Sequence, residues 1–499
     1  MPRHRTTPAA YSLLHKGMEA LAVISESGMR IDRGYLDTAI ADGERAVADK
    51  VAQIAADPIA KVWRRRYREK TNFLAPAQMA GVIFGDLGYP SRGKTAKGGR
   101  DAADEKAFAH VTDLPIKDVL FEAKKIKNAV DNFLSSIRRE AVLHRDGCWY
   151  VHPNFGLNTT ITYRSSADGP AVQQMPTRNP VIAEMVRRTY IPRPGNQITE
   201  IDLGQMEARI MCPVTRDPAL IAYISDSESD VHKDMAAQIF KCRKDLVSKG
   251  LRSLVKAAYV FATFYGSYWA QTAVALWEGI DNPGHREKLT DGTFVRDHLT
   301  ALGFTELGDV GGETEPAPGT WAEYVRAIDR HFWGERFPVY ARWKKDTFAE
   351  YLRDGGFSML TGFAVNLPLN RKQVCNAKVQ GPAFHVLLRA LPLLNKWLAK
   401  YGFRTRVICE IHDACQFDGP PDERDDVIDM AIHYLTKDAE RAWPWIGVPL
   451  VCEAECCPVN QSWYDKASLI KPAGSDSWVP ADMKKWTDRY GAWELQTGA

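Results

Sequence analysis

The feature that most constrains this chain is the distance between its strands. Short runs of aromatic and β-branched residues, the mark of strands, occur at 148–152, 159–163 and 197–202, and then again only at 405–419 and 448–456. Between 218 and 400 the apolar residues recur at helical spacing, interrupted by a loop rich in glycine, proline and acids at 303–319. A connection of about 180 residues is far too long for a loop in a compact domain, so it must be a helical domain inserted into one sheet. The fold class is α+β. The segment 405–419 reads as a hairpin with His412-Asp413 at its tip, followed by a helix at 422–443, a strand at 448–456 and a polar tail.

Upstream, 20–54 reads as two helices broken by a glycine turn at Gly28-Met29-Arg30-Ile31-Asp32. Basic residues cluster beyond it. Arg64, Arg65, Arg66 and Arg68 lie close together, Arg92, Lys94, Lys97 and Arg100 share a glycine-containing loop, and Lys124, Lys125, Lys127, Arg138 and Arg139 follow on a helix. The first 140 residues therefore form a helical module with a basic side, which solvated helix faces would explain equally well. The overall balance of 65 basic against 62 acidic residues neither demands nor excludes a polyanionic partner. An apolar content of 45% with 25% charged residues excludes intrinsic disorder. No run approaches the ~20 apolar residues of a membrane span, and no signal-type core follows the N-terminus, so a soluble protein is expected. Nine cysteines without regular spacing fit a reducing compartment, and Cys452, Cys456 and Cys457 make a poor zinc site. There is no internal repeat.

Two segments carry chemistry. Asp202 stands at a strand end with Glu207 five residues on, and such acids imply a metal site or a helix cap. Asp413 is a possible partner. If the fold joins them, the two carboxylates could hold two Mg²⁺ about 4 Å apart, the arrangement that serves phosphoryl transfer. The second segment is 251–266, where Arg252 and Lys256 share a helix face with rings nearer Gly266. Cations in line with rings suit a triphosphate under a stacked base; a half-buried amphipathic helix is the plainer alternative.

Together these segments resemble family A of the DNA polymerases, the DNA polymerase I-like enzymes. Asp202, Gln205, Glu207 and Arg209 match the first catalytic motif, Asp-x-x-Gln-x-Glu-x-Arg, which arises by chance in only about three in a thousand chains of this length. Asp230-Val231-His232 resembles the segment after it. Arg252, Lys256, Phe261, Tyr265 and Gly266 resemble the nucleotide-binding helix, and Ile411-His412-Asp413 the second catalytic motif. Weaker matches fill the gaps, at Arg164-Ser165-Ser166 through Pro170, Gln173 and Pro176, at Asn376, Val379, Gln380 and Gly381, and at Val448-Pro449-Leu450 with Trp463. Gly28, Asp32, Asn72-Phe73, Pro76, Gln78, Leu87-Gly88 and Lys94 are similar to the family's opening segments. The likeness runs in order from about 18 to 465.

The resemblance implies a right-hand architecture with an antiparallel palm sheet, helical fingers and a helical thumb. N-terminal helices and thumb would occupy 1–140, the palm 141–215 and 401–468, the fingers 216–400 and a C-terminal tail 469–499. It implies a template-directed DNA polymerase that extends a primer with deoxynucleoside triphosphates, working in the cytoplasm of a bacterium or a phage-infected host. Asp202, Asp413 and the Leu203 backbone carbonyl would hold two Mg²⁺. Gln205, Glu207, His232, Arg252, Lys256, Phe261 and Tyr265 would bind the nucleotide, with Glu207 filling the space of a ribose 2′-hydroxyl. Arg164, Gln173, Asn376, Gln380 and His412 would line the minor groove at the primer end, and Arg92, Lys94 and Lys97 would hold DNA backbone. Partners would be primer-template DNA and deoxynucleotides, with no membrane, a monomeric state, and room for a separate exonuclease or processivity factor. About 17 residues precede the matched region, too few for an exonuclease domain, and the compactness points to a bacteriophage type.

Departures sharpen these expectations. A straight helix from Arg252 brings Val260 and Phe264 to the sugar and base positions, whereas the Tyr-Gly ending selects Phe261 and Tyr265. A one-residue π-bulge would reconcile the two. Ala414 stands where many members carry Glu, Gly204 replaces a common Ser and Lys233 a common Thr. Trp478, Trp486 and Trp493 in the tail either dock on the palm or bind a partner. A single-subunit RNA polymerase, a two-metal nuclease and a catalytically impaired primer-template-binding relative are the rival readings.

Overall fold

The computed structural model describes residues 4–493, apart from 92–94, 96–98, 106, 109–110, 112, 178, 227–228, 283–284 and 312–314. At its centre is a six-stranded sheet built from β1 (Gln197–Leu203), β2 (Arg406–Ile411), β3 (Ala414–Gly419), β4 (Cys452–Cys456), β5 (Ala467–Ile470) and β6 (Val479–Pro480). The order is β2-β3-β1-β4-β5-β6, and every pairing is antiparallel. The single strand from before the helical insertion, β1, therefore lies between two strands from after it. Ile198, Ile201 and Leu203 of β1 are buried in the core, while Glu200 and Asp202 on the same strand keep partial exposure.

Helix α1 (Pro8–Ser27) starts behind Thr7, whose hydroxyl accepts the Ala10 N–H, and ends at Gly28. Gly28 has φ of 66°, and a Cβ there would stand 2.6 Å from the His152 ring, so only glycine turns the chain here. The chain passes through a short strand, Met29–Ile31, into α2 (Arg33–Ala56), which Asp32 caps. Helix α2 packs along α3 (Ile116–Asn128), and around Trp63, Met79, Phe108 and Phe121 this part of the chain has an apolar core separate from the central one.

Helix α4 (Met206–Thr215) leaves β1 directly. The insertion then supplies α5 (Val231–Ile239), α6 (Lys249–Val255), a π-turn at Lys256–Phe261, α7 (Trp269–Gly279), α8 (Trp321–His331), a second π-turn at Phe332–Arg336 and α9 (Pro338–Asp354). Helix α10 (Arg371–Lys400) opens on a capping box of Asn370 and Gln373 and packs on α1 and α4. Helix α11 (Arg424–Leu435) covers the sheet, and α12 (Met483–Tyr490) lies in the tail. Among the described residues no helix is long and apolar enough to cross a membrane. All nine cysteines are free.

Four sequence expectations are corrected. The strand Trp149–Val151 does not join the central sheet but pairs with Met29–Ile31 and Val142–Leu143. Residues 159–163 form a turn, because Thr160 Oγ1 donates to the Arg164 carbonyl and Tyr163 takes a left-handed φ of 55°; the hairpin forms instead from Asn154–Gly156 and Ser166–Asp168. The helix over 422–443 breaks at Thr436. The tail is not merely polar: β5 and β6 extend the sheet, Trp486 and Trp493 are buried, and the Arg424 guanidinium lies 4.3 Å from the Trp493 ring.

Candidate active site

Asp202 shares a rung with Ala414 of β3 and Glu453 of β4. The β2-β3 hairpin has a two-residue tip, His412-Asp413, and the Asp413 carbonyl accepts the Leu203 N–H at 3.1 Å. The two aspartates thus sit at neighbouring strand ends. His412 pays for its place with a left-handed φ of 67°, held by Glu410, whose Oε2 accepts the His412 N–H at 3.2 Å.

Burial raises the Asp202 carboxyl to about 7, helped by Asp413, Glu200 and Glu453. Burial also lifts Asp413 to about 6, against the opposing charge of Arg164 and with a further push from Glu207. Asp202 Oδ1 is buried with no hydrogen-bond partner. Two desolvated carboxyls at neighbouring strand ends, one with a buried oxygen that no protein donor meets, are the environment a hard divalent ion satisfies, so the residues present fit Mg²⁺. Among the described residues no three His, Cys, Asp or Glu side chains group closely enough to hold a metal by themselves. Leu203, whose carbonyl the sequence reading assigns to the metal, closes β1 beside Asp202.

Beneath Asp202, burial alone would raise Glu200. Instead Lys466, with Gln416 and Trp463 donating to the same carboxylate, holds it below its ordinary value. This keeps the middle of β1 ionised and fixed.

Glu207 lies in the first turn of α4 and accepts a hydrogen bond from the Tyr265 hydroxyl, while Arg164 Nη1 stands 4.0 Å from its other oxygen. Gln205, in the left-handed region at φ 54°, opens this helix and its carbonyl accepts the Arg209 N–H. Arg209 in turn holds the Gly204 and Pro449 carbonyls.

The π-turn at Lys256–Phe261 settles the register of the helix that carries Arg252, Lys256 and Phe261. Five residues of α-helix rotate a side chain by about 140°, so Phe261 would leave the face of Lys256; one residue accommodated in a π-turn cuts the rotation to about 40°. Phe261 accordingly lies 5.6 Å from Lys256 Nζ and 5.4 Å from the His232 ring, with Tyr265 6.4 Å beyond. Arg252 Nε pairs with Asp230 at 2.5 Å, and Asp230 caps α5 through the His232 and Lys233 N–H groups. His232 is buried with both ring nitrogens unpartnered, and burial, then Arg252 and Lys256, push its pKa down to about 4. It is therefore neutral at pH 7, with one free donor and one free acceptor.

Residues 44–281 match the model of DNA polymerase family A. A DNA polymerase of Bacillus phage SP01 is 25% identical over 453 residues, covering 84% of this chain and 44% of its own length. The thermostable DNA polymerase I of Thermus thermophilus is 23% identical over 449 residues, with 87% and 46% covered. The chain is thus similar to DNA polymerase family A, whose model matches just under half of its length. It spans less than half the length of these relatives. The POL domain of Pol1 from M. smegmatis, in complex with DNA primer-template and dNTP, has the same fold at a TM-score of 0.68 and 19% identity, over 90% of this chain and 70% of that one. The right-hand α+β architecture expected for family A is thus present.

The match to the family A model includes Asp202 and ends before Asp413, which the pairing of Ala414 with Asp202 sets next to that strand end. Of the residues assigned to the minor groove, Arg164 has a buried, unpartnered Nε, Asn376 a buried, unpartnered Oδ1 and His412 a buried, unpartnered Nδ1. Burial, reinforced by Arg164, lowers the His412 pKa to about 4. Gln380 is half-buried one helical turn from Asn376 on α10. Gln173 is engaged within the protein, its amide donating to Ser165 at 2.8 Å and to Glu410 at 2.7 Å. Arg92, Lys94 and Lys97 lie outside the described residues.

Two departures from family A acquire physical reasons. A Cβ on Gly204 would meet Val451 Cγ2 at 3.0 Å, so the strand end has little room for the family's serine. Ala414 is buried and leaves Glu453, across Asp202, as the further carboxylate on that rung. Glu453 and Glu410 were not singled out by the sequence. The alternation Glu453-Ala454-Glu455-Cys456 was the signal for the first, whereas nothing local marks the second.

Proposed function

We propose that this chain is a template-directed DNA polymerase that extends a primer 3′ end with deoxynucleoside triphosphates. The observation that carries the reading is the placement of two desolvated aspartates, Asp202 and Asp413, at adjacent strand ends beside a helix presenting cations and rings. Two Mg²⁺ held by Asp202, Asp413 and the Leu203 carbonyl would supply Lewis-acid activation of the primer hydroxyl and charge neutralisation on the triphosphate.

The chain's own residues do the rest. Arg252, oriented by Asp230, and Lys256 grip the triphosphate, and neutral His232 donates one hydrogen bond to it. Phe261 and Tyr265 form the platform under the sugar and base. Glu207, pinned by Tyr265, occupies the space of a 2′-hydroxyl, so a ribonucleotide meets a fixed side chain. Arg164, Asn376, Gln380 and His412 face the minor groove, where the acceptor pattern is nearly independent of sequence and pair geometry is what is tested. The helical N-terminal region acts as thumb, the sheet as palm and the insertion as fingers.

Primer extension on a defined template, with deoxy- and ribonucleotides and with and without Mg²⁺, tests the reading. Templated, Mg²⁺-dependent addition of deoxynucleotides supports it. Primer shortening would favour a nuclease, equal use of ribonucleotides an RNA polymerase, and DNA binding without extension an impaired relative.

A further inference from the structure

The nucleotide helix carries one residue more than a straight helix accommodates, and the π-turn at Lys256–Phe261 absorbs it. Such a turn sacrifices regular hydrogen bonds and persists only where packing over-determines it. The packing here is specific. Tyr259, in the middle of the turn, is fully buried. Its ring meets Phe332 edge-on, with centroids 5.6 Å apart at 90°. Phe332 opens the second π-turn, Phe332–Arg336, so two widened helical turns face each other through these rings.

Phe264, one turn on, extends the contact to Phe332, Phe337 and Tyr340 at 5.4, 5.6 and 5.1 Å. Tyr340 closes the cluster by donating its hydroxyl to the Phe264 carbonyl. The Tyr259 hydroxyl itself is buried and unpartnered, as is Oδ1 of Asp329 on α8. The ring, not the hydroxyl, is therefore what anchors the turn.

We propose that Tyr259 is a positioning residue for nucleotide binding: by seating its ring on Phe332 it locks the π-turn, and so keeps Lys256 and Phe261 on one face of the helix. Tyr259 touches no nucleotide; it acts through the register of those that would. The inference rests on the polymerase reading above and deepens it. Without the anchor the widened turn is free to migrate along the helix or relax to α-geometry, which turns Phe261 and Tyr265 by about 100° relative to Lys256.

The test compares the unsubstituted protein with Tyr259→Ala, Tyr259→Phe and Phe332→Leu. The readouts are primer extension, primer-template affinity, and deoxynucleotide affinity measured without turnover, with Ca²⁺ and a dideoxy-terminated primer. Extension by the unsubstituted protein checks the polymerase reading by itself. The inference expects the deoxynucleotide KM and Kd of Tyr259→Ala and Phe332→Leu to rise about tenfold or more, with primer-template Kd within about threefold and Tyr259→Phe within about twofold of the parent. It is overturned by unchanged nucleotide affinity in the Ala and Leu variants, by parallel loss of DNA and nucleotide affinity, or by a Phe variant as weak as the Ala variant. Should Tyr259→Ala fail to fold, Phe332→Leu and Tyr259→Phe decide. An unsubstituted protein that binds no nucleotide and extends nothing overturns both readings.

Discussion

The Tyr265 hydroxyl hydrogen-bonds Glu207 across 58 positions of sequence, joining the first turn after the β1 aspartate to the end of the helix that carries Lys256 and Phe261. The bond makes Glu207 a fixed wall instead of a mobile acid, since its second oxygen faces Arg164 at 4.0 Å. Glu207→Ala should raise ribonucleotide use relative to deoxynucleotide use by about 100-fold, and Tyr265→Phe by a smaller factor of about 3 to 10. Competing single-nucleotide insertion measures both.

Lys256 and Arg252 should separate kinetically. Lys256→Ala removes the cation nearest the Phe261 platform and should lower kcat/KM for the nucleotide by about 100- to 1000-fold. Arg252→Ala frees Asp230 as well, leaving an uncompensated carboxylate beside His232, and should raise the nucleotide KM more than it lowers kcat. Steady-state insertion kinetics at saturating DNA distinguish the two.

The aspartate pair should make the metal-free protein less stable as pH rises. Both carboxyls titrate above their unfolded values, Asp202 near 7 and Asp413 near 6. The folded chain thus holds protons that the unfolded chain has released between about pH 4 and pH 7, and stability falls across that window. In EDTA, Asp202→Asn should be more stable than the parent at pH 7.5 by about 1–3 kcal/mol and nearly equal to it at pH 4. Urea unfolding at the two pH values gives the answer, and Mg²⁺ should stabilise the parent at pH 7.5 but not the variant.

Lys466 serves the fold beneath that pair. It bridges Glu200 and Glu455 while largely buried. Lys466→Met strands two carboxylates and should cost about 3 kcal/mol, read as a lowered urea midpoint. Adding Glu200→Gln should restore part of the loss.

The sequence made some of this legible and hid the rest for physical reasons. Asp202 and Asp413 were readable because each lies in a motif whose spacing is set by one strand or one hairpin tip. The π-turn was readable as a conflict between the Arg252-Lys256 face and the Tyr265-Gly266 ending. Tyr259 was not, because its partner Phe332 lies far along the chain and no local pattern joins them. Glu410 was hidden likewise, since its partners Ser165, Gln173 and His412 meet only in the folded protein. The turn at 159–163 looked like a strand because Thr and Tyr favour strands, until the Thr160 hydroxyl captured a backbone carbonyl. The strands β5 and β6 were too short to show periodicity.

The most direct measurement of the central claim is primer extension by Asp202→Ala and Asp413→Ala alongside primer-template affinity. The account predicts that each substitution lowers extension by at least about 1000-fold while the Kd for primer-template stays within about threefold of the parent. Extension that survives in either variant, with folding and DNA binding intact, would contradict it.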